Sequence, residues 1–467
     1  MKKRVLVLGC TGSIGQQTLD ILKMFPDSFE LAGLTAHSKK DALSQTARDF
    51  SCTHYALTGE RGFSGDAMQR FIAQSNADIA VNGITGAAGL APSVYVLENG
   101  IDLALANKET IVMAGSFIKE IAKKNNAQLL PVDSEHSAVF NLIRGMGALG
   151  ATKTLGAMRD NSSFSPIAQI ILTASGGPFR NLPKEQFASI TARDALKHPT
   201  WNMGQKITID SATLANKGLE VIEACSLFDM PPEKVSVVVH PQSLVHSLIK
   251  TRDGVLYAQI SKPDMRHPIL NALTFPDIVE NDLEEFDIAS YINGKNGVNN
   301  ENENNGENVE NRTEMTFCAP RFDDFPMLSL AYDAVKNQQC IAYNAANEIA
   351  VDAFIHGKIA FTDFAPIVQY TMNQMPQKDL SAAEVARLAR ECDSADTLAK
   401  ICALDKTARD IAQKTARDIA QKTARDIAQK TARDIAQKTA RDIAHKQARG
   451  IAREIGKIEE KITGVTK

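Results

Sequence analysis

The sequence predicts an α/β protein in four parts: an N-terminal Rossmann-like parallel-sheet domain, a central α/β domain, a C-terminal helical domain and a repetitive helical tail. Three observations carry that reading. Short apolar runs alternate with helical segments from residue 1 to about 133. The region from 134 to 285 keeps mixed strand and helix patterns, with its polar motifs at strand ends. An octapeptide then recurs from Lys406 onward. At 467 residues the chain exceeds one typical core, so several domains are expected. The boundaries fall at 1–133 and 134–285, with a linker over 286–316, a helical domain over 317–405 and the tail over 406–467.

The elements of the first part follow in order: Val5-Leu8, Gln16-Met24, Phe29-Leu34, Ile79-Val81, Leu103-Ala106 and Gln128-Val132. Apolar strands separated by helices are the cadence of βαβ units and a parallel sheet. The basic start Met1-Lys2-Lys3-Arg4 leads into an apolar run that breaks at Gly9, too short for a secretory signal, and reads as the first strand. Strand-like runs resume at Ile170-Thr173, Val235-His240 and Val255-Ile260. Helical periodicity governs Leu328-Leu330, Ala346-Phe354 and Ala382-Leu388. Residues Asn293 to Arg312 are dominated by Asn, Glu and Gly, bury too little to offset their ordering entropy, and predict a disordered loop. The repeat Lys-Thr-Ala-Arg-Asp-Ile-Ala-Gln begins at Lys406, Lys414, Lys422, Lys430 and, ending in His445, at Lys438. It is strongly helix-forming. A period of eight turns each copy by roughly 80° around the helix, so the isoleucines spiral and make no single seam. A long solvated helix is the plainer expectation, a partner-binding helix the other.

Composition excludes several classes. Hydrophobic residues at 44%, charged residues at 23% and a formal net charge of -3 point neither to nucleic acid nor to a membrane surface, so an anionic ligand must be held locally. No long uninterrupted apolar stretch predicts a membrane span. Seven widely spaced cysteines with no CxxC pair suit reduced thiols in a cytoplasm.

Gly9-Cys10-Thr11-Gly12-Ser13-Ile14-Gly15 follows the first strand and opens a helix, where backbone N–H groups can meet a pyrophosphate. Its spacing is GxxGxxG, so by itself it admits either dinucleotide binding or a plain tight turn. The second strand ends in Ala36-His37-Ser38-Lys39-Lys40, with no acidic residue for a ribose diol, which favours a 2′-phosphate and NADP. A solvated helix start is the alternative for the two lysines.

Pro131-Val132-Asp133-Ser134-Glu135-His136 runs an apolar strand into a polar cluster. From an extended backbone, Asp133 and Glu135 would point the same way and share a hard cation, Mg²⁺ or Mn²⁺. A helix cap or solvated turn is the alternative. Ser211, Asn216 and Lys217 supply the hydroxyl, amide and ammonium that a phosphate needs, and Glu220 lies one helical turn after Lys217, able to complete a three-carboxylate metal site. Trp201, with His198 and Met203, sits in a Pro- and Gly-bounded stretch that suggests a mobile flap, with ordinary burial as the alternative.

Together these segments resemble the 1-deoxy-D-xylulose-5-phosphate reductoisomerase family over roughly residues 1–405. The matching stretches are the loop from Gly9, Leu105-Ala-Asn-Lys-Glu109, Pro-Val-Asp-Ser-Glu-His-Ser from Pro131, Ser-Gly-Gly-Pro-Phe from Ser175 and the block His198 to Glu220. His240-Pro-Gln-Ser-Leu-Val-His-Ser247, Lys262-Pro-Asp-Met-Arg266 and Asn344-Ala-Ala-Asn-Glu348 match as well. The resemblance implies an NADPH-dependent enzyme that converts 1-deoxy-D-xylulose 5-phosphate to 2-C-methyl-D-erythritol 4-phosphate on the non-mevalonate route to isoprenoids. It implies that the central domain is catalytic and that Asp133, Glu135 and Glu220 bind the divalent metal. Ser134 and Lys108 would contact the substrate backbone, and Lys108 and His198 are counted with the metal ligands as catalytic. Ser175, Ser211, Asn216 and Lys217 would form the phosphate pocket, closed by His198. Thr11, Gly12, Ser13, Ile14, Asn107, Glu109 and Gly204 would contact NADPH, with Ala36, His37, Ser38 and Lys39 near its 2′-phosphate. The implied assembly is a cytoplasmic homodimer, with no nucleic-acid or membrane partner.

Two departures stand out. Cys10 replaces the family's usual Ser. His37-Ser38-Lys39 replaces its usual Gly-Lys-Asn or Gly-Arg-Asn turn, leaving open which residue holds the 2′-phosphate. A simple NADP-dependent dehydrogenase would explain the glycine loop and leave the three carboxylates unexplained. A reductase-like scaffold acting through the repeat tail would leave intact polar residues at every site position unexplained.

Overall fold

A computed structural model describes residues 1–61, 63, 65–147, 166–198, 200–201, 203–293, 314–376, 378–391 and 393–463. The loop expected over 293–312 lies outside the described residues, except Asn293. Contacts divide the chain into two units, Met1–Gln413 and Lys414–Lys467.

Strands β1 (Lys3–Leu8), β2 (Phe29–Ala36), β3 (Tyr55–Leu57), β4 (Ile79–Asn82), β5 (Asp102–Leu105) and β6 (Leu129–Pro131) form a sheet in the order β3-β2-β1-β4-β5-β6. Every pairing in it is parallel. Val5, Leu6, Val7 and Leu8 are fully buried, which is why β1 reads as a continuous apolar run: helices cover both faces of such a sheet. The order steps outward from β1 in both directions, so the ends of β1 and β4 flank a crevice where ligands bind in open sheets of this kind. Helices α1 (Ser13–Met24), α2 (Lys40–Asp49), α3 (Gly65–Gln74), α4 (Leu90–Glu98) and α5 (Lys108–Lys124) make the crossovers. Asn107 caps α5, its side chain accepting from the Thr110 N–H.

Helix α6 (Ser134–Gly145) leads from β6 toward a second sheet of β7 (Ile167–Ala174), β8 (Val235–Val239), β9 (Val245–Thr251) and β10 (Leu256–Ile260), in the order β10-β9-β7-β8. Strand β8 runs parallel to β7, and the other pairings are antiparallel. Between β7 and β8 the chain forms α7 (Ala192–Ala195), α8 (Gln205–Ala212) and α9 (Ala215–Leu227). Helix α9 is buried around nearly its whole circumference and packs on α5, which brings its polar residues up to the N-terminus of α5. After α10 (Arg266–Thr274) and α11 (Ile288–Asn293), a helical group follows: α12 (Pro326–Asn337), α13 (Cys340–Ile355), α14 (Phe364–Gln374) and α15 (Ala382–Glu391). A last helix, α16, runs from Ser394 to Thr463 and contains the repeat; Ile435 and Ile443 are exposed.

Candidate active site

Gly9 bends the chain out of β1 with a positive φ of 84°, and its N–H donates to the Thr35 carbonyl at the end of β2. Helix α1 then starts one turn later with Gly12 as its N-cap, and no side chain caps it, so the N–H groups of its first turn stay available. A Cβ on Gly15 would collide with the Gly9 carbonyl oxygen and with Cys10, so the last glycine sets how closely α1 packs on the loop. Burial pushes the Cys10 thiol up to about 11, which keeps it protonated beside this loop. Gly12, Ser13 and Ile14 open onto a cavity of about 570 Å³.

The same cavity is lined by Asp133, Glu135 and Glu220, whose carboxylate oxygens lie within 4.8 Å of one another. The expected convergence is present, but not from an extended backbone. Asp133 is the residue capping α6 and Glu135 lies in its first turn, so the helix start turns both toward Glu220 of α9. Asp133 sits at the cap position without making the cap hydrogen bond; its carboxylate pairs with Lys108 instead. Lys108 also meets Glu220 Oε1 at 3.0 Å and Asn216 Oδ1 at 2.9 Å. Lys217 meets Glu135 Oε1 at 2.7 Å and pairs with Glu220, and Ser134 Oγ donates to Glu135 Oε2 at 2.6 Å.

Burial works against every charge here, and the partners decide the outcome. Burial depresses Lys108, but Asp133, Glu220 and Glu223 outweigh it and raise its pKa well above the usual lysine range. Burial would raise Asp133, yet Lys108 and His136 hold it well below the usual carboxylate range. Glu135 is pushed up to about 7 by burial and by the Glu220 carboxylate, against the pull of Lys217. Three oxygen-only carboxylates in one pocket fit a hard divalent cation. A second cluster, Asp133, His136 and Glu223, is also compact enough for a metal. His136 and Glu223 lie behind the cavity wall and not on it, and His136 Nε2 faces the Glu220 carbonyl at 3.0 Å, so they support the open set from the rear.

At the far end of the carboxylates, His198 Nδ1 accepts from the Thr200 and Trp201 N–H groups at 3.1 and 2.9 Å. The ring proton therefore sits on Nε2, which lies 3.0 Å from Ser175 Oγ and 3.1 Å from Ser211 Oγ. Burial, with Arg180 nearby, lowers His198 to about 4 and keeps it neutral. Asn216 Nδ2 donates to Glu220 Oε1 at 2.5 Å. Trp201 and Met203 line the cavity, Trp201 half-buried with its ring 6.4 Å from that of His246; Pro199 and Asn202 lie outside the described residues. Leu214, with φ 60°, is a left-handed residue on the cavity wall.

Asn107, Glu109 and Gly204 line the same cavity. Thr11, Ala36, His37, Ser38 and Lys39 do not; His37, Ser38 and Lys39 are exposed at the end of β2, and Lys39 precedes the first turn of α2. Sequence reasoning missed Lys206, which joins Glu109 at 2.7 Å to Asp210 at 2.7 Å, and it missed His136 and Glu223. The sequence does carry Lys206 and Asp210 as an i, i+4 pair, but not the link to Glu109, 97 positions away, and His136 and Glu223 hide inside apolar helix patterns.

A glycine-rich helix start at a parallel-sheet crevice, facing three carboxylates across one cavity, defines an α/β nucleotide-dependent enzyme. Comparison with known proteins then fixes which one. The family model for 1-deoxy-D-xylulose 5-phosphate reductoisomerase matches residues 5–65 and 58–115, the model of its C-terminal domain matches 129–228, and a DXP reductoisomerase C-terminal domain matches 260–411. The 1-deoxy-D-xylulose 5-phosphate reductoisomerase of Treponema denticola is 46% identical over 380 residues, 80% of this chain and 90% of that one. The Treponema pallidum enzyme is 42% identical over 405 residues, covering 86% and 96%. A crystal structure of DOX-P reductoisomerase in complex with NADPH, fosmidomycin and magnesium is 33% identical, with a TM-score of 0.75 over 89% of this chain and 98% of that one. The Zymomonas mobilis enzyme in complex with NADPH gives 32% and 0.71, over 89% and 99%. The chain belongs to the 1-deoxy-D-xylulose 5-phosphate reductoisomerase family.

Proposed function

We propose that this cavity converts 1-deoxy-D-xylulose 5-phosphate to 2-C-methyl-D-erythritol 4-phosphate with NADPH and a divalent cation, the step that serves isoprenoid synthesis by the non-mevalonate route. The observation that carries the assignment is that helix start, carboxylates and phosphate donors all open into one cavity. Asp133, Glu135 and Glu220 would hold Mg²⁺ or Mn²⁺, which when bound supplies a Lewis acid for the substrate's ketone and neighbouring hydroxyl. NADPH when bound supplies hydride to the aldehyde that the skeletal rearrangement produces.

The protein's own groups do the rest. Lys108 and Ser134 orient the substrate backbone and hold its oxygens against the carboxylate wall. Ser175, Ser211, Asn216 and Lys217 bind the phosphate, and neutral His198 donates its Nε2 proton toward it without adding charge. Phosphate binding remote from the reacting carbons provides energy to order the Trp201 and Met203 segment and exclude water. Gly12, Ser13, Ile14, Asn107, Glu109 and Gly204 hold the nicotinamide side, with Thr11 in the glycine loop. Ala36, His37, Ser38 and Lys39 serve the 2′-phosphate, since β2 ends beside the glycine loop in the sheet.

Among the described residues no helix is long and apolar enough to cross a membrane. A cytoplasmic homodimer fits the reading: β10 is the outer strand of its sheet, and its exposed Leu256, Tyr257 and Ile260 form an apolar edge suited to a second copy. The test of function is NADPH oxidation with the sugar phosphate after EDTA treatment, with and without Mg²⁺ or Mn²⁺. Metal-dependent oxidation is expected. Folded, NADPH-binding protein that oxidises none under either metal would favour a dehydrogenase for another carbonyl substrate.

A further inference from the structure

We infer that Asn347 and Glu348 of α13, the glutamate gripped by Arg409 of α16, are positioning residues for the nicotinamide side of the cavity. The inference rests on the NADPH reading above. None of the three lines the cavity, so each must act through another residue.

Two polar routes lead from α13 to the same place. In the first, Glu348 Oε1 accepts the Ala87 N–H at 2.9 Å. Ala87 follows the Gly83, Ile84 and Thr85 stretch of the cavity wall. Gly86 has φ 77°, and a Cβ there would stand 3.0 Å from Glu348 Oε1, so the carboxylate lies directly against this backbone. From the other side, Asn107 Nδ2 donates to the Ile84 carbonyl at 2.7 Å and to the Gly86 carbonyl at 2.9 Å. In the second route, Asn347 Nδ2 donates to Asp210 Oδ1 at 2.8 Å, Asp210 pairs with Lys206, and Lys206 pairs with Glu109. Glu109 Oε2 then accepts from Asn107 Nδ2 at 3.0 Å. Both routes end on Asn107, the cap of the helix that begins with Lys108.

Arg409 fixes the origin of the first route. It pairs with Glu348 Oε2 at 2.6 Å and with Asp405 Oδ2 at 2.7 Å, and its side chain is only 24% exposed. Arg409 belongs to the first octapeptide copy, and Arg433, in the same place of the fourth, is exposed. A carboxylate held on both oxygens orients the Ala87 N–H and stiffens the wall before the cofactor arrives, which lowers the entropy lost on binding.

The experiment uses the full chain, unaltered and as Glu348→Gln, Arg409→Met, Arg409→Lys and Arg433→Met. It measures NADPH affinity by cofactor fluorescence and KM for each substrate. Loss of a charge-assisted hydrogen bond at this depth should raise the NADPH Kd about tenfold in Glu348→Gln and Arg409→Met. The sugar phosphate KM should stay within about twofold, since only the cofactor side is loosened. Arg409→Lys should recover most of the affinity, and Arg433→Met should match the unaltered chain. A merely structural role would weaken both ligands together and lower the melting temperature in step. Unchanged NADPH affinity in Arg409→Met, or equal losses for both ligands, overturns the inference. If Glu348→Gln does not fold, the Arg409 pair decides alone. An unaltered chain that fails to bind NADPH would instead refute the cofactor assignment itself.

Discussion

The two sides of the cavity prepare for their ligands by different physics. On the carboxylate side Lys108 and Lys217 interleave with Asp133, Glu135 and Glu220. On the proposed nucleotide side α1 offers backbone N–H groups, beside one buried ion-pair chain of Glu109, Lys206 and Asp210. Buried full charges make the first side intolerant, because removing one leaves the others unpaired in a low dielectric. Backbone donors make the second side graded, because distorting a loop weakens binding without stranding a charge. The difference teaches where a substitution should abolish turnover and where it should only move an affinity.

Lys108→Met should have the largest effect. It strands Asp133 beside Glu220, so the fold should lose about 3–5 kcal/mol, and turnover should be undetectable. Chemical unfolding with and without Mn²⁺ checks it: the cation should stabilise this variant more than the unaltered chain, since it replaces the missing charge. A stable variant indifferent to Mn²⁺ would show that the carboxylates do not act as one charged set. Next in size, Gly15→Ala should push α1 off its loop and raise the NADPH Kd by about tenfold or more while Mn²⁺ affinity holds, read by titration of each ligand. Equal loss of both would erase the distinction between the sides.

The smallest effect concerns pH. Burial lowers both His198 and His246 to about 4 in the folded chain, below the ordinary 6.5. The unfolded chain therefore takes up protons first as pH falls. Their contribution to stability is complete above about pH 6.5 and is lost progressively toward pH 4, against the opposite gain from Glu135, raised to about 7, so the histidine effect is read as the difference in melting temperature between variant and unaltered chain across that window. His198→Asn should flatten part of the slope, and an unchanged slope would mean that His198 is already charged when folded.

Much of this was legible in the sequence, for identifiable reasons. Five of the six strands of the first sheet and the glycine loop are local patterns, as is the i, i+3 relation of Lys217 and Glu220; β3 was missed, because three residues with an exposed tyrosine make no run. Asp133 and Glu135 were legible as a pair but not as a geometry: the period-two argument assumed an extended chain, whereas α6 begins at Ser134 and turns both side chains itself. Glu223 and His136 were hidden because a buried carboxylate in an apolar helix face looks like an interruption of the pattern until its partner is seen. Lys206, Asn347 and Glu348 find their partners across the fold, and Arg409 sits in a repeat whose other copies look identical to it. Only the tertiary arrangement distinguishes the arginine that grips a carboxylate from the one that faces water.

Asp133, Glu135 and Glu220 are assigned to the cation on which turnover depends. Glu220→Gln tests this assignment directly, with NADPH and Mn²⁺ binding titrated alongside the rate of NADPH oxidation. The variant should show near-normal NADPH binding, lost Mn²⁺ binding and no turnover. Turnover at the unaltered rate would contradict the assignment.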